Sequence, residues 1–402
     1  MNSGDHKEYT HVFLGCGTER FPLYESQVLG LLSILASRNV RPLHILFEGG
    51  TRPRQETVQR LRNWNALGFS LILPYSKAVT ALSRKAVASS LASWILRNLN
   101  IRGRHPEIEK VLLHCRNEPA TLWGISIAAE LSSLARRAGV QLIVRVLFDN
   151  RGLRTEEVKE LNPRAIATNA AHIASKWWVS ERVSAYSFVT GAMADHYLSH
   201  GYRDNIPSII VPTCVNGSDY SHCNIPWNDR EFDLVYCGST WGWQGVDRVL
   251  NLLMKMDADH SIRALALVDE PEVVQQRADQ LGLHNLRIKR LPAEHVPAAL
   301  SQCRIGLLFR DSSLLNQVAA PTKLGEYLAA GLKVAYTGDI GSVKDLLASD
   351  SNAEQWLVNL SDLDSHELID VISRELDSSP PEGEIWKYFT WEHHLHKYSE
   401  LF

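Results

Sequence analysis

The sequence predicts an α/β protein made of two doubly wound parallel sheets, and three observations carry that prediction. Short apolar runs alternate with helical-period stretches along the whole chain. The apolar runs are rich in Val, Ile and Leu and show no polar alternation, as expected of strands covered on both faces. The pattern breaks once, at TCVNGSDYSHCNIPWNDRE (213–231), and then restarts. At about 150 residues per domain, a chain of 402 residues has room for two or three domains.

In the first half, HVFLG (11–15), PLHILFEG (42–49), FSLILPY (69–75), KVLLHCR (110–116), QLIVRVLFD (141–149), AYSFVTG (185–191) and SIIVPT (208–213) read as buried strands. Amphipathic stretches at 24–37, 53–67, 79–98, 119–138 and 164–183 read as the helices between them. In the second half the strands are FDLVYCG (232–238), IRALALVD (262–269), LRIKRL (286–291), IGLLF (305–309), KVAYT (333–337) and EQWLVNL (354–360). Helices fall near 245–256, 272–281, 294–302, 322–330 and 342–348, and the aromatic tail 382–402 is helical in pattern. The expected division is an N-terminal domain over 1–215, a linker over 216–231, a C-terminal domain over 232–385 and a last helix over 386–402. Two such Rossmann-like domains facing a cleft would hold ligands at the carboxyl ends of their strands.

Composition excludes several classes. Apolar residues make up 45% and charged residues 22%, a globular profile, and the net charge of −3 gives no basic field for nucleic acid. The six cysteines form no C-x-x-C pair, so neither a zinc site nor a disulfide framework is expected, and a reducing, cytoplasmic setting fits. No apolar run approaches the length of a membrane span, and the polar start MNSGDHKEYT is unlike a signal peptide.

The segment FRDSSLLNQVAAPTKLGEYLAAGLKVAYTGDIGSVKDLL (309–347) concentrates the chemistry. Pro321 and Thr322 suit a helix start and Gly331 its end. The helix opens directly after a strand's carboxyl end, where free N–H groups and the dipole favour an anion such as a diphosphate. Lys323 in the first turn and Arg310 at the strand end would add positive charge, and Glu326 could accept hydrogen bonds from vicinal ribose hydroxyls. Asp311, Gly238, Arg290 and Leu291, all at strand ends, complete this side. On the N-terminal side Gly15 and Gly17 flank the first strand's end, too few glycines for a dinucleotide fingerprint because Arg20 holds the last position. His114 and Arg116 end one strand, and Asp149 and Arg151 end the next, so all four converge where α/β sites form.

PTKLGEYLAAGLKVAY, YCGSTWGWQGVDRVLNLL (236–253), SAYSFVTGAMADHYLSHGY (184–202) and FTWEHHLHKYSEL resemble, in order, the segments of retaining glycosyltransferases of family 4, which have the GT-B fold. LLHCRNEPATLWG (112–124) with FDNRGLRTEE (148–157) is similar to a subset with a His-x-Arg strand end and an Asp-x-Arg-Gly loop. The resemblance implies transfer of a sugar from a nucleoside-diphosphate sugar to a hydroxyl acceptor, glycan or lipid-linked, with retention and no required metal or cofactor. It implies surface polysaccharide assembly, with the last helix crossing back onto the N-terminal domain. His114, Arg116, Asp149, Arg151 and Lys323 become the catalytic candidates.

Two departures stand out. Val318 occupies the place of the first glutamate of a pair eight apart, with Asp311 the nearest carboxylate to replace it. The first loop of the C-terminal domain, Gly238-Ser239-Thr240-Trp241-Gly242-Trp243-Gln244, lacks the family's Arg and Lys. They keep open a catalytically silent GT-B subunit of a glycan-assembly complex, and a GT-B nucleotide-sugar epimerase is the enzyme rival. The Asp257-Ala258-Asp259 triplet and the trio His393, His394 and His396 read as turn and packing residues rather than metal ligands. The stretch 76–105 carries Lys77, Arg84, Lys85, Arg97, Arg102 and Arg104 without an acid. It reads either as a core helix with a basic face or as a peripheral contact with anionic lipid, for which Trp177-Trp178 would be a second point.

Overall fold

The computed structural model describes residues 9–16, 25–38, 40–49, 69–75, 77–99, 108–153, 177–221, 225–240, 245–259 and 262–402. The chain divides into two compact units. One comprises Met1–Val189, Met193–Val211 and His394–Phe402; the other comprises Thr190–Ala192 and Pro212–His393.

The first unit is built on a seven-stranded sheet: β1 (Thr10–Cys16), β2 (Arg41–Gly49), β3 (Phe69–Tyr75), β4 (Glu109–Arg116), β5 (Leu142–Asn150), β6 (Ala185–Phe188) and β7 (Ser208–Ile210). Their order is β3-β2-β1-β4-β5-β6-β7, with every neighbouring pair parallel. Unbroken burial along β1, and along β4 from Val111, explains why these strands read as continuous apolar runs. The helices are α1 (Gly30–Ser37), α2 (Lys77–Asn98), α3 (Asn117–Arg137) and α4 (Gly191–Ser199). The stretch 24–37 is helical from Glu25 onward, with π-helical geometry over Glu25–Leu29 running directly into α1. Helix α2 buries Ala88, Leu91, Ala92 and Ile95 at three- and four-residue spacing, so one face of the basic stretch is core. Helix α3 lies close on β4 because Gly124 has no side chain; a β-carbon there would stand 2.2 Å from Cys115 Sγ. The helix expected over 53–67, Gly17, and most of 164–183 fall outside the described residues.

The second unit carries a six-stranded sheet: β8 (Phe232–Gly238), β9 (Ala264–Val268), β10 (Leu286–Lys289), β11 (Cys303–Phe309), β12 (Lys333–Thr337) and β13 (Leu357–Asn359). Its order is β10-β9-β8-β11-β12-β13, again wholly parallel. Around it lie α5 (Val246–Asp259), α6 (Pro271–Gln280), α7 (Val296–Leu300), α8 (Leu314–Gln317), α9 (Thr322–Ala329), α10 (Gly341–Ser349) and α11 (Ser365–Asp377). Two cores flank the sheet, one formed with α9 and α10 and the other with α5, α6 and α11. Helix α11 was not expected from the sequence, although Asp364 and Glu367 form a complete capping box at its start.

The tail differs from one continuous helix over 386–402. Ile385–Phe389 is a 3₁₀ turn, and α12 spans Trp391–Ser399. From His394 onward the chain belongs to the first unit: Lys397 Nζ donates to the Ile210 carbonyl at 2.7 Å, and the Phe402 ring lies 5.5 Å from that of Tyr9. Among the described residues no helix is long and apolar enough to cross a membrane.

Candidate functional site

In a doubly wound sheet, ligands gather outside the carboxyl ends of the strands where the strand order reverses. In the second unit that point lies between β8 and β11, and in the first between β1 and β4. The sequence candidates fall at both.

At the second unit's switch point, Gly238 ends β8, Arg310 follows β11, and α9 starts with Thr322 and Lys323. Pro321 is the residue just outside α9, in extended conformation, so it ends the loop rather than opening the first turn. Gly331, φ +73°, closes the helix as its lack of a side chain allows. Tyr327 of α9 fixes the helix to both strands: its hydroxyl accepts from the Cys237 N–H at 2.8 Å and donates to the Leu307 carbonyl at 3.4 Å.

That anchoring sets Lys323 beside β8. Its Nζ lies 2.5 Å from Glu326 Oε2, with the two side chains 25% and 17% exposed, so the pair is sheltered yet reachable. Burial works to lower the Lys323 pKa, but Cys237 and the Glu326 carboxylate outweigh it and hold the ammonium above its usual range. Arg310 is buried, with its backbone N–H donating to Thr337 Oγ1 at 3.0 Å; burial shifts its pKa downward, yet a guanidinium stays charged. Tyr236 senses both Arg310 and Lys323, which places the two cations around the end of β8. Asp311 is exposed, and its Oδ1 accepts from Asn316 Nδ2 at 2.5 Å. Arg290 and Leu291 follow β10, the edge strand, two places from β8, and among the described residues no hydrogen bond or ion pair joins them to this group. Arg290 is exposed and Leu291 packs against the α9-side core.

Sequence reasoning missed Arg248, in the first turn of α5. A β-carbon on Gly245 would lie 3.3 Å from its Nη2 and 2.7 Å from the Phe309 carbonyl oxygen, so this guanidinium stands beside the end of β11. Arg248, Lys255 and Arg310 border a pocket of about 500 Å³ at the carboxyl ends of β11, β12 and β13, between α5 and α11.

At the first unit's switch point, β4 and β5 bring the four predicted residues together, and β1 adds His11. His11 Nε2 lies 3.0 Å from His114 Nδ1, His114 Nε2 3.1 Å from Asp149 Oδ2, and Arg151 Nε 2.9 Å from the same oxygen. Arg151 also donates to the Val211 carbonyl at 3.1 Å. His11, His114 and Asp149 are 0% exposed, Arg116 is 8% exposed, and Arg151 is half-buried. Burial keeps both histidines below their usual pKa, opposed at His114 by Asp149. Burial would raise Asp149, but Arg151, His114 and Arg116 outweigh it and hold the carboxylate ionised. Asp149 Oδ2 thus lies between His114 and Arg151 and joins the buried histidine to the guanidinium. Tyr398 of α12 closes this network, its ring 5.6 Å from His11 and 5.4 Å from His114. Gly15 is buried on β1.

Among the described residues no group of three His, Cys, Asp or Glu side chains is placed to hold a metal. The side chains of Asp257 and Asp259 lie outside the description, while His394 is buried and His393 and His396 are exposed. Trp177 is 66% exposed, and Arg84 stacks over Trp123 at 5.9 Å.

No protein-family model matches the chain, and no curated protein matches it in sequence. Solved structures match over its whole length. It is similar to a glycosyltransferase from Rickettsia africae ESF-5, with 13% identity, 98% of this chain and 99% of that one covered, and a TM-score of 0.65. It is also similar to the lipopolysaccharide outer core galactosyltransferase WaaB in its apo form, with 10% identity, coverage of 97% and 99%, and a TM-score of 0.60. Sucrose-phosphate synthase from Thermosynechococcus elongatus matches with 10% identity, coverage of 97% and 98%, and a TM-score of 0.59. The chain thus has the two-domain α/β fold of the GT-B glycosyltransferases.

Proposed function

We propose that the chain is a glycosyltransferase, moving a sugar from a nucleoside-diphosphate sugar to a hydroxyl of a glycan or lipid-linked glycan in surface polysaccharide assembly. The observation that carries this reading is the sheltered Lys323–Glu326 pair at the start of α9, beside Gly238 and Arg310 at the β8–β11 switch point. Glu326 would accept the ribose hydroxyls. Lys323 and Arg310 would stabilise the charge that develops on the β-phosphate as the bond from sugar C1 to phosphate oxygen breaks. The acceptor oxygen then bonds to C1 on the same face and its proton passes to the departing phosphate, giving retention without a metal. Pro321, Thr322, Asp311, Arg290, Leu291, Gly15 and Gly17 remain in the proposed donor-binding set. Arg116 and Arg151, positioned by His114 and Asp149, would receive the acceptor or an anionic part of the substrate. The exposed basic face of α2, with Lys85 and Arg97, would rest on anionic lipid at the cytoplasmic side of a membrane.

One observation favours a second reading, a catalytically silent binding subunit. Val318, in the place of the first glutamate, is 3% exposed, and its carbonyl accepts from Thr190 Oγ1 at 2.9 Å. A thermal-shift panel of UDP, GDP, ADP, CDP and CMP, with and without Mg²⁺, separates the two. Ligand at about a hundred times its Kd adds roughly 2.7 kcal/mol. A shift with one diphosphate that ignores Mg²⁺ and disappears in Glu326→Ala supports the donor site and names its base. No shift with any nucleotide favours the silent subunit.

A further inference from the structure

The pocket between α5 and α11 is a second concave site in the same unit, on the opposite face of the sheet from Lys323 and Glu326. Its positive groups are Arg248, Lys255 and Arg310, against the carboxylates of Asp311 and Asp362. Asp362 is exposed; Asp311 accepts from Ser313 N–H and Asn316 Nδ2 in its own loop and also feels the charge of Arg248. Lys255 Nζ donates to Ser365 Oγ at 2.5 Å, which leaves two further N–H bonds on the ammonium.

The arginines carry the argument. Arg310 is 8% exposed at the pocket wall, where a charge is poorly solvated by water. Arg248 stands close enough to lower the Arg310 pKa further, as one cation does to another. Arg248 helps to hold the nearby Asp311 carboxylate ionised, without a hydrogen bond or contact ion pair to it. Arg248 and Arg310 both line this concave surface, and a guanidinium can present parallel N–H bonds to a tetrahedral oxyanion. The pocket of about 500 Å³ is large enough for a phosphorylated small molecule and not only a bare ion.

We propose that this pocket binds a phosphate group, with Arg248 and Arg310 as its guanidinium ligands and Lys255 as a third positive charge. The phosphate comes either from free phosphate or a phosphomonoester, or from a nucleoside diphosphate reaching over Arg310. Arg310 is shared with the proposed donor site, so the inference rests in part on that reading; Arg248, outside the donor set, is the residue that separates the two.

The test is calorimetric titration and thermal shift of the full chain with inorganic phosphate at constant ionic strength, on wild type, Arg248→Gln, Arg248→Lys and Lys323→Gln. Arg248 is exposed, so its variants are expected to fold. Phosphate binding should weaken at least tenfold in Arg248→Gln, less in Arg248→Lys, and by no more than twofold in Lys323→Gln. UDP added at saturating phosphate identifies the source. Additive stabilisation assigns the pocket to free phosphate or a phosphomonoester, and competition assigns it to the nucleotide. Wild type that ignores millimolar phosphate, or Arg248→Gln that binds it as wild type does, overturns the proposal. A loss of UDP binding in Glu326→Ala with phosphate binding intact would bear on the donor site alone.

Discussion

The ring of Tyr327 fills the space that a side chain on Gly306 would need: a β-carbon there would lie 2.4 Å from Cδ2 and 2.5 Å from Cγ. Gly306 is in the middle of β11, so its bare backbone lets α9 come down onto the sheet and lets the Tyr327 hydroxyl bridge β8 and β11. The position of Lys323, one turn earlier on the same helix, follows from that contact.

Gly306→Ala should therefore destabilise the second unit by about 1–3 kcal/mol, the usual cost of overpacking a filled core. Tyr327→Phe keeps the ring and loses the bridge, and should cost about 1 kcal/mol. Urea unfolding measures both. If Gly306→Ala has no effect, α9 is not held against β11 as described.

Buried histidines set the sign of the acid response. Burial lowers His44 to about 4, whereas an unfolded histidine titrates near 6.5. Below 6.5 the unfolded chain binds a proton that the folded one does not, so stability falls as pH drops from 6.5 to about 4, by about 1.4 kcal/mol per pH unit for this group. His11 and His114, shifted in the same direction, add to the slope. Asp149 adds its own loss only lower, since a depressed carboxylate stabilises above its unfolded pKa of about 3.9 and that gain fades as pH falls through the folded value. His44→Gln should flatten the urea-midpoint profile between these limits by about one proton, and a slope equal to wild type would sink this account.

The parallel sheets were legible because each buried strand is a continuous apolar run, and the second unit's site because Pro-Thr-Lys and Glu326 mark a helix opening at a strand end. What escaped did so for physical reasons. Arg248 looks like any charged residue on an exposed helix face, and only the fold brings it to Arg310. His11 sits at a strand start, and its meeting with His114 depends on strand order, which periodicity does not encode. Exposure is likewise hidden: the same motif places Arg151 near the surface and seals His114 beneath α12. Helix α11 was a different failure, because Asp364-Ser365-His366-Glu367 is a readable capping signal.

Tyr398 ties the end of the chain to the first unit's polar network. It is 0% exposed and lies against both His11 and His114. Tyr398→Ala should cost about 3–5 kcal/mol, the range for removing a buried aromatic ring. Water entering the space would solvate the histidines and return their pKa values toward the ordinary range, so the acid slope should become shallower. Tyr398→Phe should leave that slope near wild type. A shallow slope in both variants would mean that the ring is not what keeps the histidines dry.

Lys323 and Glu326 share one contact but have different tasks in the proposed reaction, and this makes their variants separable. Lys323→Ala removes charge that matters most when the diphosphate leaves, so turnover should fall at least a hundredfold, about 2.7 kcal/mol, with a smaller change in nucleotide affinity. Glu326→Ala removes a contact made equally before and during the reaction, so nucleotide affinity should fall while maximal turnover changes less. It also frees Lys323 from its partner, which rules out a simple sum of the two effects in the double variant. Steady-state kinetics with the donor found in the nucleotide panel, set beside direct binding of the diphosphate, provides both readouts. Near-normal turnover in Lys323→Ala would remove this lysine from charge stabilisation and leave Arg310 to supply it.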